Sequence, residues 1–247
     1  MRKILIVGAT SAMAHATATH FARDRARFFL VGRNPEKLRT VADDLEVRGA
    51  DDVTTFQMDM NELDQHETLL DQATRAMSGL DTVLIAHGTL PDQEACENSV
   101  EKTLHELTTN GLSVIALLTL IANRFEQQKS GTIAVISSVA GDRGRKSNYI
   151  YGSAKAAVSI FLGGLRGRLH DAGVAVVTIK PGLIDTPMTA HLKKTALFAS
   201  AEAAGKAIYH AIVNRKDVIY VPWYWQIIMT VIKLIPERLF KRLNLAA

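Results

Sequence analysis

A single cysteine, Cys96, occurs among the 247 residues, so no internal disulfide can form. One thiol also cannot build a thiolate metal cluster, and both exclusions point to a reducing compartment. Aromatic residues make up only 6% of the chain, and the net charge is a modest +4. No basic stripe interleaved with aromatics stands out, so no nucleic-acid partner is expected. Strand-like residues begin at Lys3, leaving no room for a secretory leader, and the expected location is the cytoplasm. Glycine is short in one informative place. Residues 7–15, "VGATSAMAH", follow the apolar run "KILI" as a phosphate-binding turn would, yet carry one glycine where such turns usually have three.

What is present is a core-forming composition, 47% hydrophobic and 22% charged. Short apolar runs at 3–7, 28–31, 53–57, 82–85, 132–137, 175–179 and 218–221 read as strands. They are apolar without alternation, as strands covered on both faces are. Helix-length segments lie between them, at 12–25, 35–48, 62–77, 99–127, 148–171 and 200–213, with start signals at Asn34-Pro35 and Asn61-Glu62. Right-handed crossovers then give an α/β fold: a single-domain, doubly wound (Rossmann) parallel sheet of about seven strands, with helices on both faces. Residues 1–221 form the expected dinucleotide-binding unit and 222–247 an apolar and basic helical tail.

In such a sheet the turn after the first strand meets a cofactor pyrophosphate at a helix N-terminus. Free N–H groups and the helix dipole do the binding, so glycine is needed only for space or for a positive φ. Gly8 supplies the tight turn, Ala12 and Ala14 add one methyl each, and Thr10 and Ser11 add hydroxyl donors. A plain capped turn is the competing reading. The second strand ends "LVGRN" with no acidic residue to accept from a ribose 2′-OH, so Arg33 favours a 2′-phosphate and hence NADP over NAD. A solvated loop arginine is the alternative. Asp59, in "FQMDM", suits either the adenine amino group or a helix cap.

The fifth strand ends "VISSVAG" and "YGSAK" follows. Tyr151 and Lys155 are four apart and share a helix face. A nearby ammonium favours the phenolate, so Lys155 is expected to lower the Tyr151 pKa towards neutrality, at roughly 1.4 kcal/mol per tenfold. Such a phenol suits acid–base work near pH 7. Ser138 would donate to a substrate carbonyl beside it. A surface Tyr/Lys pair is the bland alternative.

These motifs, in order with "GRN", "MDM", "NGLS" and "KPGLIDTPM", resemble the short-chain dehydrogenase/reductase family over residues 1–220. The resemblance implies that Tyr151 is the general acid of ketone reduction and that Lys155 also holds the nicotinamide ribose. It implies that Ser138 orients the carbonyl, that Asn110 positions a proton-relaying water, and that Pro181, Gly182, Ile184 and Thr186 line the nicotinamide side. Met13, Met60, Ala86 and Gly88 complete the expected cofactor set. A homodimer or homotetramer acting on a small-molecule ketone or alcohol is expected. Two departures stand out: the glycine-poor first turn, and Ile85-Ala86-His87-Gly88 where the family usually has "NNAG". His87 is expected to be a structural histidine. His15 and His20 have no evident acidic partner, and no metal is expected.

Between Ser138 and Tyr151, Arg143, Arg145 and Lys146 form a basic cluster that suits either an anionic substrate or solvent. The segment "LIDTPMTAHLKKTALFA" is long enough for a lid. The tail "VPWYWQIIMTVIKLIPERLFKRLNL" is too short to span a bilayer, and suits a helix lying in a membrane surface, at its inner face, or one packed on the body. The loop and tail are also similar, more locally, to keto-reductases of decaprenylphosphoryl-ribose epimerisation, which handle a sugar on a lipid phosphate. A dinucleotide sensor, or a membrane-peripheral interaction protein on the same scaffold, are the other functions weighed.

Overall fold

The computed structural model describes residues 1–243. The chain runs β1 (Lys3–Val7), α1 (Ala12–Arg23), β2 (Arg27–Gly32), α2 (Pro35–Val47), β3 (Asp52–Gln57), α3 (His66–Met77) and β4 (Thr82–Ile85). It continues through α4 (Gln93–Glu97), α5 (Val100–Leu107), α6 (Ser113–Gln128), β5 (Gly131–Ile136), α7 (Tyr149–Leu169) and β6 (Val174–Pro181). Last come β7 (Ile184–Asp185), β8 (Ala199–Ser200), α8 (Ala201–Val213), β9 (Val218–Val221), α9 (Tyr224–Leu234) and α10 (Glu237–Phe240).

Seven of these strands form one parallel sheet in the order β3-β2-β1-β4-β5-β6-β9, and β7 pairs with β8 apart from it. The apolar runs do not alternate because each feeds two cores. In β1, Leu5 and Val7 pack towards α3, α6 and α7, while Ile4 and Ile6 pack towards α1, α2 and α8. Phe125 of α6 is fully buried in the first of these cores. Truncating such a ring to alanine typically costs ~3–5 kcal/mol.

Strand order reverses between β1 and β4, and a crevice opens there beyond their carboxyl ends. Gly8 closes β1 at φ +80°, and a β-carbon at that position would stand 2.5 Å from the His87 nitrogen. That one glycine is required by both its backbone angle and its neighbour.

Two helices differ from expectation. The 62–77 segment starts as a 3-10 turn, Leu63–Gln65, and becomes α-helical only at His66; Asn61 caps neither, its side-chain Nδ2 donating to Thr109 Oγ1 at 2.9 Å. The 99–127 segment is α5 and α6 joined through a π turn, Thr108–Leu112, which inserts one extra residue per turn at Asn110. The Asn34-Pro35 start is as expected, with Asn34 Oδ1 accepting from the Lys37 amide at 2.8 Å.

The tail packs by one face. Trp225 and Met229 are buried against Val139, and the side chain of Arg143 holds the far end of α9 through the carbonyls of Ile232 and Ile235. Trp223, Ile227, Val231 and Leu234 form an exposed apolar stripe on the other face. Residues 244–247 of the expected tail lie outside the described residues.

Candidate active site

β5 delivers Ser137 and Ser138 to the carboxyl edge of the sheet, and the first turns of α7 bring Tyr151 and Lys155 against them. Ser137 Oγ donates to the Lys155 carbonyl at 3.1 Å, which fixes helix to strand. Ser138 Oγ accepts from the Ala140 amide at 3.0 Å, leaving its own proton for another acceptor. Lys155 Nζ donates to the Ile136 carbonyl at 3.2 Å and lies 5.6 Å from the centre of the Tyr151 ring.

Burial acts on this pair in a way that spacing did not foretell. The Tyr151 pKa is pushed up to about 12, not down; burial is the main cause, and the hydrogen bond from Ser138 opposes it. Lys155 is itself lowered to about 8 by burial. Removing water disfavours both charged forms, and that outweighs any help the ammonium gives the phenolate. The phenol is therefore a neutral proton donor at pH 7, and the lysine is still largely protonated.

Asn110 is fully buried on the π turn. Its Oδ1 accepts from the Thr89 amide at 2.9 Å, and its Nδ2 donates to Thr89 Oγ1 at 2.9 Å and Glu106 Oε2 at 3.0 Å. Thr89 Oγ1 also donates to Glu106 Oε2. Glu106 and Thr89 escaped sequence reasoning, although the i, i+4 spacing of Glu106 to Asn110 carried a signal.

All the nominated positions meet in two adjoining clefts. The first is lined by Ser138, Tyr151, Lys155, Asn110, Pro181, Gly182, Ile184 and Thr186. The second is lined by Gly8, Thr10, Ala12, Arg33, Asp59 and Met60; Ser11, Met13, Ala86 and Gly88 border both. Asp59 lines the second cleft, and its Oδ1 accepts from the Asn61 backbone amide at 3.0 Å. Its Oδ2 stands 4.0 Å from Arg33, whose side chain is 65% exposed.

His87 borders both clefts, but its Nε2 is bonded to Ser113 Oγ at 2.9 Å, and burial lowers its pKa to about 3. His15 has an acidic partner after all, Asp44 at 2.8 Å, supplied by a different helix. Among the described residues no group of three or more His, Cys, Asp or Glu side chains is placed to hold a metal.

The basic cluster divides. Arg143 turns to the tail, Arg145 and Lys146 both border a groove beside α10, and Arg145 alone of the three also lines the cleft of Tyr151. Further cleft residues that went unforeseen include Asn148, Val139 and Trp225. From the lid-length segment, Thr186, Met188, Thr189 and Leu192 face the cleft, whereas Lys194 pairs with Asp185 at 2.6 Å.

A doubly wound sheet with a serine, a tyrosine and a lysine gathered at its crevice defines a class, the nicotinamide-dependent oxidoreductases of the short-chain type. A family profile described as "short chain dehydrogenase" matches residues 2–197, and the chain belongs to that family. It is 30% identical over 240 residues to an "uncharacterized oxidoreductase" of Mycobacterium tuberculosis, covering 97% of this chain and 96% of that one. It is also 30% identical over 243 residues to an "uncharacterized oxidoreductase" of Streptomyces coelicolor, covering 98% and 96%. A solved short-chain type dehydrogenase/reductase from Mycobacterium ulcerans shares the fold, with a TM-score of 0.77 and 23% identity over 89% of this chain and 88% of that one. The protein is thus an oxidoreductase whose family takes a nicotinamide dinucleotide and a small-molecule substrate.

The residues present fit such a dinucleotide. Ser11 takes the cap position of α1 in extended conformation, yet its side chain makes no capping bond, and no acidic residue stands in the first helical turn. Donors and the positive helix end therefore face the second cleft without competition. Of the two alanines that stand where the family has glycine, Ala14 is turned wholly into the core and Ala12 lines the second cleft.

Proposed function

We propose that the protein is an NADP(H)-dependent carbonyl reductase or alcohol dehydrogenase with Tyr151 as its proton donor. The observation that carries this reading is the partly buried, neutral Tyr151 phenol beside Ser138 and Lys155, in a cleft continuous with the N-terminus of α1. When bound, the dinucleotide supplies a hydride to the carbonyl carbon. Gly8, Thr10, Ser11, Ala12 and Met13 would hold its pyrophosphate, and Ala86, Gly88, Pro181, Gly182, Ile184 and Thr186 its nicotinamide end. Asp59 and Met60 would flank the adenine.

Ser138 orients the carbonyl oxygen with its hydroxyl proton, turned from the Tyr151 oxygen to the substrate. Tyr151 hands its own proton to that oxygen as negative charge develops there, and a phenol made less acidic by burial is still far more acidic than an alcohol. Lys155 would hold the nicotinamide ribose and keep positive charge beside the phenolate left behind. Asn110, pinned by Thr89 and Glu106, positions the water that returns a proton towards Lys155.

Arg33 would pair with a 2′-phosphate, which supports NADP over NAD: no carboxylate stands at the tip of β2 to receive a free 2′-OH. The test is cofactor oxidation with a panel of ketones, with NADPH and NADH side by side. Turnover with NADPH in preference is expected, and equal use of both cofactors contradicts the phosphate contact. A sensor without turnover is disfavoured because it has no use for the Ser138–Tyr151–Lys155 set.

One observation favours an additional property. The exposed stripe of Trp223, Ile227, Val231 and Leu234, with Lys233 beside it, supports peripheral contact with an anionic membrane at the cytoplasmic face. An apolar cleft wall of Leu183, Leu192 and Trp225 fits a substrate with a greasy, lipid-linked end. Liposome co-sedimentation that survives charge substitution across the stripe rules this contact out. A homodimer or homotetramer belongs to the same reading, and light scattering reads it directly.

A further inference from the structure

Arg143 and Arg145 stand two residues apart and have opposite fates. The Arg143 guanidinium donates to the carbonyls of Ile232 at 2.5 Å and Ile235 at 2.7 Å, pairs with Glu237 at 2.9 Å, and lies 3.6 Å from the centre of the Phe240 ring. Arg145 instead lines the cleft that holds Ser138 and Tyr151. Among the described residues it has no carboxylate within ion-pair distance, and its Nε is buried without an acceptor. Burial alone depresses its pKa, with no charged neighbour contributing. A guanidinium stays protonated under all physiological conditions, so this cation is held in the cleft without a counter-ion among the described residues.

Its surroundings repeat the pattern. Asn148 Oδ1 and Trp225 Nε1 are also buried without partners, and both residues line the same cleft. The rest of that wall is apolar, with Val139, Leu183, Met188 and Leu192. Buried polar groups are nearly always hydrogen-bonded, and a buried charge is nearly always paired. His87 Nδ1 is a fourth such atom on the same cleft; the other three point to a ligand that supplies what is missing: negative charge for Arg145, a donor for Asn148 and an acceptor for Trp225.

We propose that Arg145 anchors an anionic group, a carboxylate or a phosphate, on the carbonyl substrate, with Asn148 taking a hydroxyl of the same molecule. This rests on the reading of the cleft as the site of carbonyl reduction. Arg145 is thus a specificity residue: it selects ketones that carry charge, and Arg143 serves the same loop only by tying it to the tail.

The test compares matched substrates: a keto acid against its methyl ester, and a keto-phosphate against the unphosphorylated ketone. Wild type is expected to prefer the charged member of at least one pair, and the pair that discriminates identifies carboxylate or phosphate. Arg145→Gln should raise KM for that member roughly ten- to hundredfold, the range for a lost charge-assisted hydrogen bond, and leave its kcat and the neutral partner nearly unchanged. Arg145→Lys should recover part of the preference. No preference in wild type, or an equal loss for charged and neutral substrates in Arg145→Gln, overturns the proposal.

A second readout needs no turnover. Trp223→Phe leaves Trp225 as the sole tryptophan, and titrating inorganic phosphate or acetate into the NADP complex should quench its fluorescence saturably. Arg145→Gln should abolish that quench; an unchanged quench contradicts the assignment. If anions bind through Arg145 but Tyr151→Phe turns over normally, the anion site stands and the proposed reaction falls.

Discussion

Trp225 presses so closely on Gly182 that a β-carbon on residue 182 would stand 2.1 Å from the indole Nε1. The contact joins the last third of the fold to the cleft: Gly182 follows β6, Trp225 opens α9, and both line the wall near Tyr151. Gly182→Ala is therefore expected to push the indole out of its seat. Overpacking of this kind costs ~1–3 kcal/mol, and ~1 kcal/mol lowers Tm by about 2–4 °C at this chain length. Thermal melting should show a loss of several degrees, and tryptophan emission a red shift. Unchanged emission contradicts the contact.

Lys155 sets the alkaline limit. Burial lowers its pKa to about 8, so the ammonium is present at pH 7 and lost as the pH rises through 8. A pH profile of kcat/KM should fall above about pH 8, since that parameter reports groups of the free enzyme. Lys155→Arg keeps its charge at high pH and should remove the limb at a reduced rate. A wild-type profile level to pH 10 contradicts this role.

Arg33 is expected to discriminate between cofactors. Arg33→Ala should weaken NADPH binding by roughly ten- to hundredfold, as for a lost charge-assisted hydrogen bond, and leave NADH nearly unchanged. Fluorescence titration of both cofactors decides it. Equal losses refute a 2′-phosphate contact, and the Asp59 carboxylate 4.0 Å away would then be the only partner supporting Arg33.

Acid stability should depend on His87. Burial holds its pKa at about 3 in the folded protein, well below the ordinary value of 6.5. Between those values the unfolded chain binds one more proton than the native state. Stability is full above pH 6.5 and falls by about 1.4 kcal/mol per pH unit as the solution is acidified below it. His87→Asn should flatten that dependence in denaturant melts between pH 6.5 and 4. The same slope in both proteins contradicts the burial account.

Much of this was readable from the chain because the signals were local and repeated. Runs such as "ILIV" and "TIAVIS" announce two-sided strands, and their alternation with helices announces a parallel sheet. Tyr151 and Lys155 meet because four residues make a helical turn. Their acidities were not readable, since burial is a property of the whole assembly, and it reversed the expected direction at Tyr151.

Other features needed three dimensions. Arg143, Arg145 and Lys146 are one basic cluster in sequence, but the loop sends Arg143 to the tail and leaves Arg145 and Lys146 on an outer groove, with Arg145 reaching the cleft as well. The tail helix is apolar on both faces, so nothing in its pattern chose Trp225 and Met229 as the packed pair over Trp223 and Ile227. The two-residue strands β7 and β8 are too short to leave a periodicity. The π turn at Asn110 inserts a residue without any break in helical composition.

The most direct measurement is a single turnover: NADPH-loaded wild type and Tyr151→Phe are mixed with a reactive ketone, and cofactor oxidation is followed in the stopped flow. Positioned acid catalysis contributes about 10²–10⁴-fold, so the variant should bind NADPH normally and oxidise it slower by that factor. Oxidation at the wild-type rate would show that the proton comes from elsewhere and would contradict the account.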